Sequence, residues 1–247
     1  MTLHYQKAAV LENRPVSGGV WLLRAAWPTP ALPGQFFMVR GWGREPLLAR
    51  PISVHDWAGG ELELLYEVRG EGTRLLSGVR AGDEVELTGA LGNGFPTGQL
   101  RGRVALVAGG IGIAPLWYAA RALAAQGCEV RLYCGFRDEP YTLEKFERVC
   151  AGVAVATDSG RFGTKGFVTD LFRPEGYSAV LTCGPEPMME KTARACLAAG
   201  VPVYVSRESR MACGIGACLG CTCHTAGGPK STCKDGPVFR GEDLYGV

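Results

Sequence analysis

The chain has 247 residues, of which 47% are hydrophobic and 20% charged. That composition excludes a disordered chain and suffices for one large domain or two modest ones. Lys and Arg number 26 against 24 Asp and Glu, an excess too small to mark a nucleic-acid binder.

Residues 1–97 read as an all-β unit. Short runs rich in Val, Leu, Tyr and Trp alternate with turn clusters at the spacing of a barrel. The clearest strands are Val20–Leu23, Phe36–Val39, Ile52–Val54, Leu62–Val68 and Glu84–Thr88, with one short helical stretch at Thr73–Ser77. Two segments of this unit suggest a bound group. Arg50-Pro51-Ile52-Ser53 offers a planar guanidinium fork for phosphate, a fixed turn and a hydroxyl. Leu65-Tyr66-Glu67 is followed by Gly72-Thr73, so an aromatic face lies near a backbone anion nest.

Residues 98–205 change character. Val104–Ala108 is a continuous apolar run, as in a strand buried on both faces. Helical patterns at Ala114–Gln126, Leu143–Val149, Phe167–Leu171 and Pro187–Ala199 alternate with strands at Glu129–Tyr133, Val153–Thr157, Ala179–Cys183 and Val201–Val205. Such alternation predicts a parallel sheet with helices on both faces. The turn Gly109-Gly110-Ile111-Gly112-Ile113-Ala114-Pro115 follows the buried strand and opens a helix, which makes it an anion site. Cys183-Gly184-Pro185 repeats that arrangement at a later strand end. Both loops belong at the carboxyl ends of parallel strands, where open α/β sheets bind ligands. With histidine only at positions 4, 55 and 224, nothing in the sequence points to an activating base for Cys183, which reads as a packing or nicotinamide-contacting thiol.

Residues 206–247 show no period, and a long stretch without secondary structure is expected there. Cys213-x4-Cys218-x2-Cys221, with Cys233 beyond, has the spacing that plant-type ferredoxins use for a 2Fe–2S cluster. Gly214, Gly216 and Gly220 allow the sharp bend and let N–H groups approach sulfur. A structural zinc normally takes two Cys knuckles, and one is present here. Cys223 does not fit the ferredoxin spacing and is left out of the ligand set. The first residues hold no apolar signal core. The uncharged run Val104–Ala120 is short for a membrane span and broken by glycine. A soluble cytoplasmic protein is expected.

The Arg-Pro-Ile-Ser strand, the Gly-Gly-Ile-Gly-Ile-Ala-Pro turn and the Cys-Gly-Pro loop, in that order, resemble the ferredoxin–NADP reductase superfamily. The tail from Glu208 through Cys221, with Cys233-Lys-Asp-Gly-Pro-Val-Phe, resembles that of the electron-transfer subunits of type B dihydroorotate dehydrogenases, and the likeness covers essentially the whole chain. It implies an antiparallel β-barrel FAD domain, a parallel-sheet NAD domain and a C-terminal 2Fe–2S region. It implies that Arg50, Pro51, Ile52, Ser53, Leu65, Tyr66, Glu67, Gly72 and Thr73 contact FAD. The turn at 109–115, with Gly110 and Gly112, and the loop Cys183-Gly184-Pro185 would face NAD, and Cys213, Cys218, Cys221 and Cys233 would hold the cluster. It further implies an FMN-containing TIM-barrel partner that oxidises dihydroorotate in pyrimidine biosynthesis, in a heterotetramer of two copies of each subunit. No catalytic side chain is expected in this chain. One departure stands out: where related chains often carry Asp-Gly-Ser, this chain has Asp158-Ser159-Gly160-Arg161, and an arginine there favours a 2′-phosphate. The alternative reading keeps the fold and changes the partner, to a sulfhydrogenase, sulfite reductase or ferredoxin:NADP transhydrogenase complex.

Overall fold

The structure, a computed structural model, describes residues 4–246. The N-terminal half of the chain closes a six-stranded antiparallel barrel. Its strands are β1 (His4–Ser17), β2 (Val20–Ala26), β3 (Phe36–Arg40), β4 (Arg50–Ala58), β5 (Glu61–Glu67) and β6 (Glu84–Leu91), with helix α1 (Glu71–Leu76) between the last two. The order around the barrel is β1-β2-β5-β4-β3-β6. Closure removes free sheet edges. It depends on β1, which pairs with β6 through its first half and with β2 through its second. That strand was missed in the sequence. Most of its residues stay partly exposed, with Ala8 and Val10 the inward-facing pair, so the apolar alternation that marks a strand is nearly absent. Leu23, Phe37, Val54, Leu62, Leu64 and Leu87 fill the barrel.

The second half alternates as the pattern predicts. β7 (Arg103–Gly109) leads into α2 (Ala114–Ala125), then β8 (Glu129–Phe136), α3 (Leu143–Glu147), β9 (Gly152–Thr157), β10 (Thr164–Lys165), α4 (Val168–Leu171), β11 (Ala179–Cys183), α5 (Glu186–Ala198) and β12 (Val203–Ser206). The sheet order is β10-β9-β8-β7-β11-β12 plus one further strand. The chain therefore builds outward from β7 in one direction, then returns to add β11 on its other side. This reversal is the topological switch point, where an open parallel sheet leaves a crevice at its carboxyl edge. Residues 109–112 and 183–185 are the loops that leave these two strands. Ile113 and Trp117 of the α2 region share one core with Val20, Leu22 and Leu65 of the barrel, so the two halves are packed together.

The tail corrects one expectation. It holds β13 (Thr222–Thr225), β14 (Gly228–Ser231), α6 (Thr232–Asp235), β15 (Val238–Arg240) and α7 (Gly241–Tyr245). The elements are too short to show a period, which is why none was visible. β13 and β14 form a hairpin, and β15 adds antiparallel to β12 as the seventh strand of the large sheet. No helix among the described residues is long and apolar enough to cross a membrane.

Candidate functional site

β4 and β5 are antiparallel neighbours, so the start of one and the end of the other lie at the same end of the barrel. Arg50, Pro51, Ile52 and Ser53 thereby come beside Leu65, Tyr66 and Glu67. Together with Thr73 they wall a cavity of about 230 Å³. Its opposite wall is Ile111, Ala114 and Pro115 from the switch point, and its third side is Ser206–Ser209, Met211 and Pro237 from the tail. The contributions of the tail and of Phe36 were missed in the sequence, because no local motif marks a residue that reaches the site only through the packing of distant segments.

The barrel wall has an aromatic end and a cationic end. Tyr66 is buried, and its hydroxyl donates to Asn13 Oδ1 at 3.1 Å. Burial pushes its pKa up to about 12, so it is a neutral surface against which a planar ring could lie. Asn13 also donates to the carbonyls of Leu76 and Val79, each at 2.9 Å. The same side chain thus ties Tyr66 to the end of α1. At the cationic end the Arg50 guanidinium lies over the Trp42 ring, 5.3 Å from its centroid, and donates to the Leu48 carbonyl. It also fills the space above Gly72: a Cβ there would stand 2.6 Å from Arg50 Cζ. Glycine at 72 is what lets the cation reach the backbone of α1. The Thr73 hydroxyl accepts from the N–H groups of Arg69 and Gly70 and closes the turn before the helix. A dinucleotide with a flat ring and a pyrophosphate fits this donor set. On the tail side of the cavity, burial raises the Glu208 pKa, Arg69 opposes the rise and Glu67 adds to it.

The glycine turn forms the layer behind the opposite wall. A Cβ on Gly112 would lie 2.2 Å from the Cys183 carbonyl oxygen, and one on Gly184 would lie 2.8 Å from Gly109 N. The two loops therefore meet backbone to backbone. Gly110, with φ +53°, bends the chain at the strand end. Ile111, Ala114 and Pro115 are the residues this turn presents to the cavity; Gly110, Gly112, Cys183, Gly184 and Pro185 are not part of its lining. Cys183 is buried at 2% exposure, and burial raises its thiol pKa far above the ordinary value, which removes it as a nucleophile. Arg161 follows β9, exposed, with Nη1 3.8 Å from Asp138 Oδ1.

The four expected cysteines are gathered by the tail. Gly214 and Gly216 take positive φ (+72° and +81°), and the loop they bend points N–H groups at sulfur. Ile215 N and Cys218 N lie 3.5 Å from Cys213 Sγ, Gly220 N 3.4 Å from Cys218 Sγ, Cys233 N 3.4 Å from Cys221 Sγ and Gly216 N 3.1 Å from Cys233 Sγ. Burial opposes ionisation of Cys213, but the Ile215, Cys218 and Ala217 N–H groups together with the Cys218 thiol outweigh it and bring the Cys213 thiol down to about 6. The sulfurs are mutually close: Cys213 interacts with Cys218, and Cys233 with both Cys221 and Cys213. Among the described residues no three or more His, Cys, Asp or Glu converge as a single ion requires. Four neighbouring thiols with backbone N–H donors aimed at sulfur fit an iron–sulfur cluster. Cys221 and Cys233 pack against Phe36, Met38 and Leu91 of the barrel, whereas Cys218 is exposed. Phe36 thus touches both the cysteine core and the cavity. Cys223 is buried within β13, opposite Lys230.

A barrel joined to a nucleotide-binding parallel sheet, with a cleft at the switch point and a cysteine loop against the barrel, defines a flavin- and nicotinamide-linked oxidoreductase with an iron–sulfur centre. Residues 208–245 match the family model described as the iron-sulfur cluster binding domain of dihydroorotate dehydrogenase B, and residues 106–194 match the oxidoreductase NAD-binding domain. The chain is 46% identical over 240 residues to the dihydroorotate dehydrogenase B (NAD(+)) electron transfer subunit of Clostridium acetobutylicum, covering 97% of each chain. It is 42% identical over 246 residues to that of Clostridium perfringens, covering 99% of each. Among solved structures it superposes on a chain of the NADH-dependent reduced ferredoxin-NADP oxidoreductase with a TM-score of 0.85 and 31% identity, covering 96% of this chain and 89% of that one. A ferredoxin reductase of carbazole 1,9a-dioxygenase shares the fold at 23% identity and a TM-score of 0.71, covering 83% of this chain and 69% of that one. The chain belongs to the family of dihydroorotate dehydrogenase B electron transfer subunits. Its cofactors are FAD, a 2Fe–2S cluster and NAD, and it works with a catalytic partner subunit.

Proposed function

We propose that the cleft walled by Arg50–Ser53 and Leu65–Glu67 holds FAD. Arg50 and the Gly72-Thr73 backbone would take the pyrophosphate, and Tyr66 would lie against the ring. Cys213, Cys218, Cys221 and Cys233 would hold the cluster, and the 109–115 turn, backed by Cys183-Gly184-Pro185, would receive NAD. The observation that carries this reading is the convergence of barrel, switch point and tail on one cleft, with Phe36 reaching from it to Cys221 and Cys233. Held by Arg50, Tyr66 and the Gly72-Thr73 backbone, a flavin would supply chemistry that joins one-electron exchange on the cysteine side to two-electron exchange with NAD⁺. The chain's own residues bind, orient and shield; a Ser/His/Asp set or an acid–base carboxylate pair is not needed. The catalytic partner would be an FMN protein that oxidises dihydroorotate, assembled with this chain as two copies of each. Thiolate ligands and ten free cysteines suit a reducing compartment, and the cytoplasm is the proposed location.

A visible-region spectrum with iron analysis tests the assignment. Cys218→Ser removes a ligand on the exposed side of the loop, so cluster absorption should disappear while FAD remains. Loss of both together would show that the two sites are not separate. Arg50→Ala removes a charged hydrogen-bond donor, typically worth about 1.5–3 kcal/mol, and should weaken FAD retention by about tenfold or more. Unchanged flavin affinity, measured by titrating flavin-stripped protein, would take Arg50 out of the site.

A further inference from the structure

The two ends of β4 do different things. Arg50–Ser53 wall the cleft, whereas residues 55–57 grip α2, whose first residues, Ala114 and Pro115, wall the same cleft from the other side. Consecutive strand residues normally point to opposite faces. Here the pairing with β5 slips between Val54, opposite Leu64, and Asp56, opposite Glu63. His55 is the extra residue of that bulge, and a bulge re-aims side chains. As a result His55 and Asp56 both contact α2. Asp56 accepts from Trp117 Nε1 at 2.8 Å and pairs with Arg121 further along the helix.

His55 is fully buried, and its Nδ1 lies 2.9 Å from the Ala114 carbonyl oxygen. A carbonyl only accepts, so Nδ1 carries the proton and donates it. A carbonyl has two lone pairs, and this one can serve the helix ladder and the imidazole together. Nε2 faces Lys145 Nζ at 3.5 Å, and Lys145 in turn pairs with Glu63 at 3.1 Å. Burial, then the Lys145 charge, bring the imidazole down to about 4, against the opposing influence of the Ala114 carbonyl, Glu63 and Asp56. The ring is therefore neutral at physiological pH, with its hydrogen-bonding roles fixed.

We propose that His55 is a positioning residue that holds the first turn of α2, and with it the nucleotide-binding turn, at a set distance from the flavin-binding strand. His55 lies two residues beyond Ser53, and Ala114 is a wall residue in its own right, so one hydrogen bond joins the two walls next to the cleft. The Arg121–Asp56 pair is more exposed and lies two helical turns away. It holds the helix axis, and the Asp56–Trp117 bond holds the helix one turn along, whereas His55 is the tie to the first residue of α2. Reacting groups displaced by about 1 Å can lose about a hundredfold in rate.

The inference rests on the cleft being the flavin site. It is tested on the full-length, flavin-bound chain with His55→Leu, which removes the donor, and His55→Asn, which keeps an N–H near the position of Nδ1. Three quantities are read: the dissociation constant for NAD⁺ by calorimetry, hydrogen exchange of the α2 first-turn amides, and the rate of flavin reduction by NADH. In the Leu variant, NAD⁺ affinity should fall about tenfold, the amides should exchange faster, and reduction should slow tenfold or more, with FAD content preserved. The Asn variant should recover to within about threefold of wild type. A flavin-bound Leu variant with all three quantities unchanged would overturn the role of His55 alone; wild-type protein that binds no flavin would overturn the cleft assignment as well. Should the Leu variant not fold, His55→Gln, which extends its amide toward the Nε2 position, replaces it. Asn outperforming Gln supports the Nδ1 bond to Ala114, and the reverse order refutes it.

Discussion

At the scale of single residues, glycines in the same turn carry different burdens. Gly112 is required by space: a side chain there would meet the Cys183 carbonyl at 2.2 Å, and backbone on both sides leaves nothing flexible to yield. Gly110 is required by conformation, with φ +53° and open space around it. Gly112→Ala should therefore cost about 1–3 kcal/mol or more as overpacking and push apart the two loops proposed to receive NAD. Gly110→Ala should cost about 1 kcal/mol, through backbone strain alone. Thermal melts and NAD⁺ titrations of the pair check this: equal losses of NAD⁺ affinity would show that loop-to-loop contact is not what Gly112 provides. Gly72 is a third case. A side chain there meets the movable guanidinium of Arg50, so its replacement should displace the cation and act on FAD rather than on the fold.

At the scale of elements, the bulge in β4 gives the barrel–sheet joint a pH dependence with a definite sign. The imidazole of His55 sits at about 4 in the folded chain, below its ordinary 6.5, so between those values the unfolded chain binds more protons. Stability is complete above pH 6.5 and is lost as pH falls toward 4. A shift of this size removes about 2 kcal/mol of stability by pH 5, or about 4–8 °C in melting temperature for a chain this long. Wild type should lose that much more than His55→Asn between pH 7 and pH 5, since the other titrating groups are common to both; parallel melting curves would show that His55 is not held neutral. This joint was illegible in the sequence. The strand Ile52–Val54 and the helix Ala114–Gln126 were readable from β-branched runs and helical period, but a one-residue slip between strands leaves no trace in either pattern. β1 escaped for the opposite reason, its mostly half-exposed residues hiding the alternation. The Cys213–Cys221 loop and the Gly109–Gly112 turn were readable because ligand spacing and backbone freedom are local properties. The residues that Phe36, Met211 and Pro237 contribute to the site are set by tertiary packing, and no local window contains them.

At the scale of the whole molecule, the cysteine-bearing tail is built into the fold at several points. β15 extends the large sheet through β12, and the Cys221–Cys233 core rests on Phe36, Met38 and Leu91 of the barrel. A third tie comes from Asn93, just beyond β6. Its Nδ2 donates to the Asp235 and Val238 carbonyls, each at 2.9 Å, and its Oδ1 accepts from Val238 N at 3.0 Å. These bonds fix the limb that carries Cys233, the proposed ligand most distant in sequence from the other three. Asn93→Ala removes all three side-chain bonds at an exposed position, at a cost of about 1–2 kcal/mol. The loss falls on the 233–238 limb and leaves Arg50, Tyr66 and Gly72 untouched. Bleaching of the cluster by a chelator should therefore accelerate by about tenfold, while the flavin stays bound at its original stoichiometry. Bleaching at the wild-type rate would mean that β15, the backbone bonds at Gly236 and Pro237 and the packing on the barrel hold the limb without the Asn93 side chain. Loss of flavin in step with iron would mean that the cleft and the cysteine core open as one unit, with Phe36 as the contact that couples them.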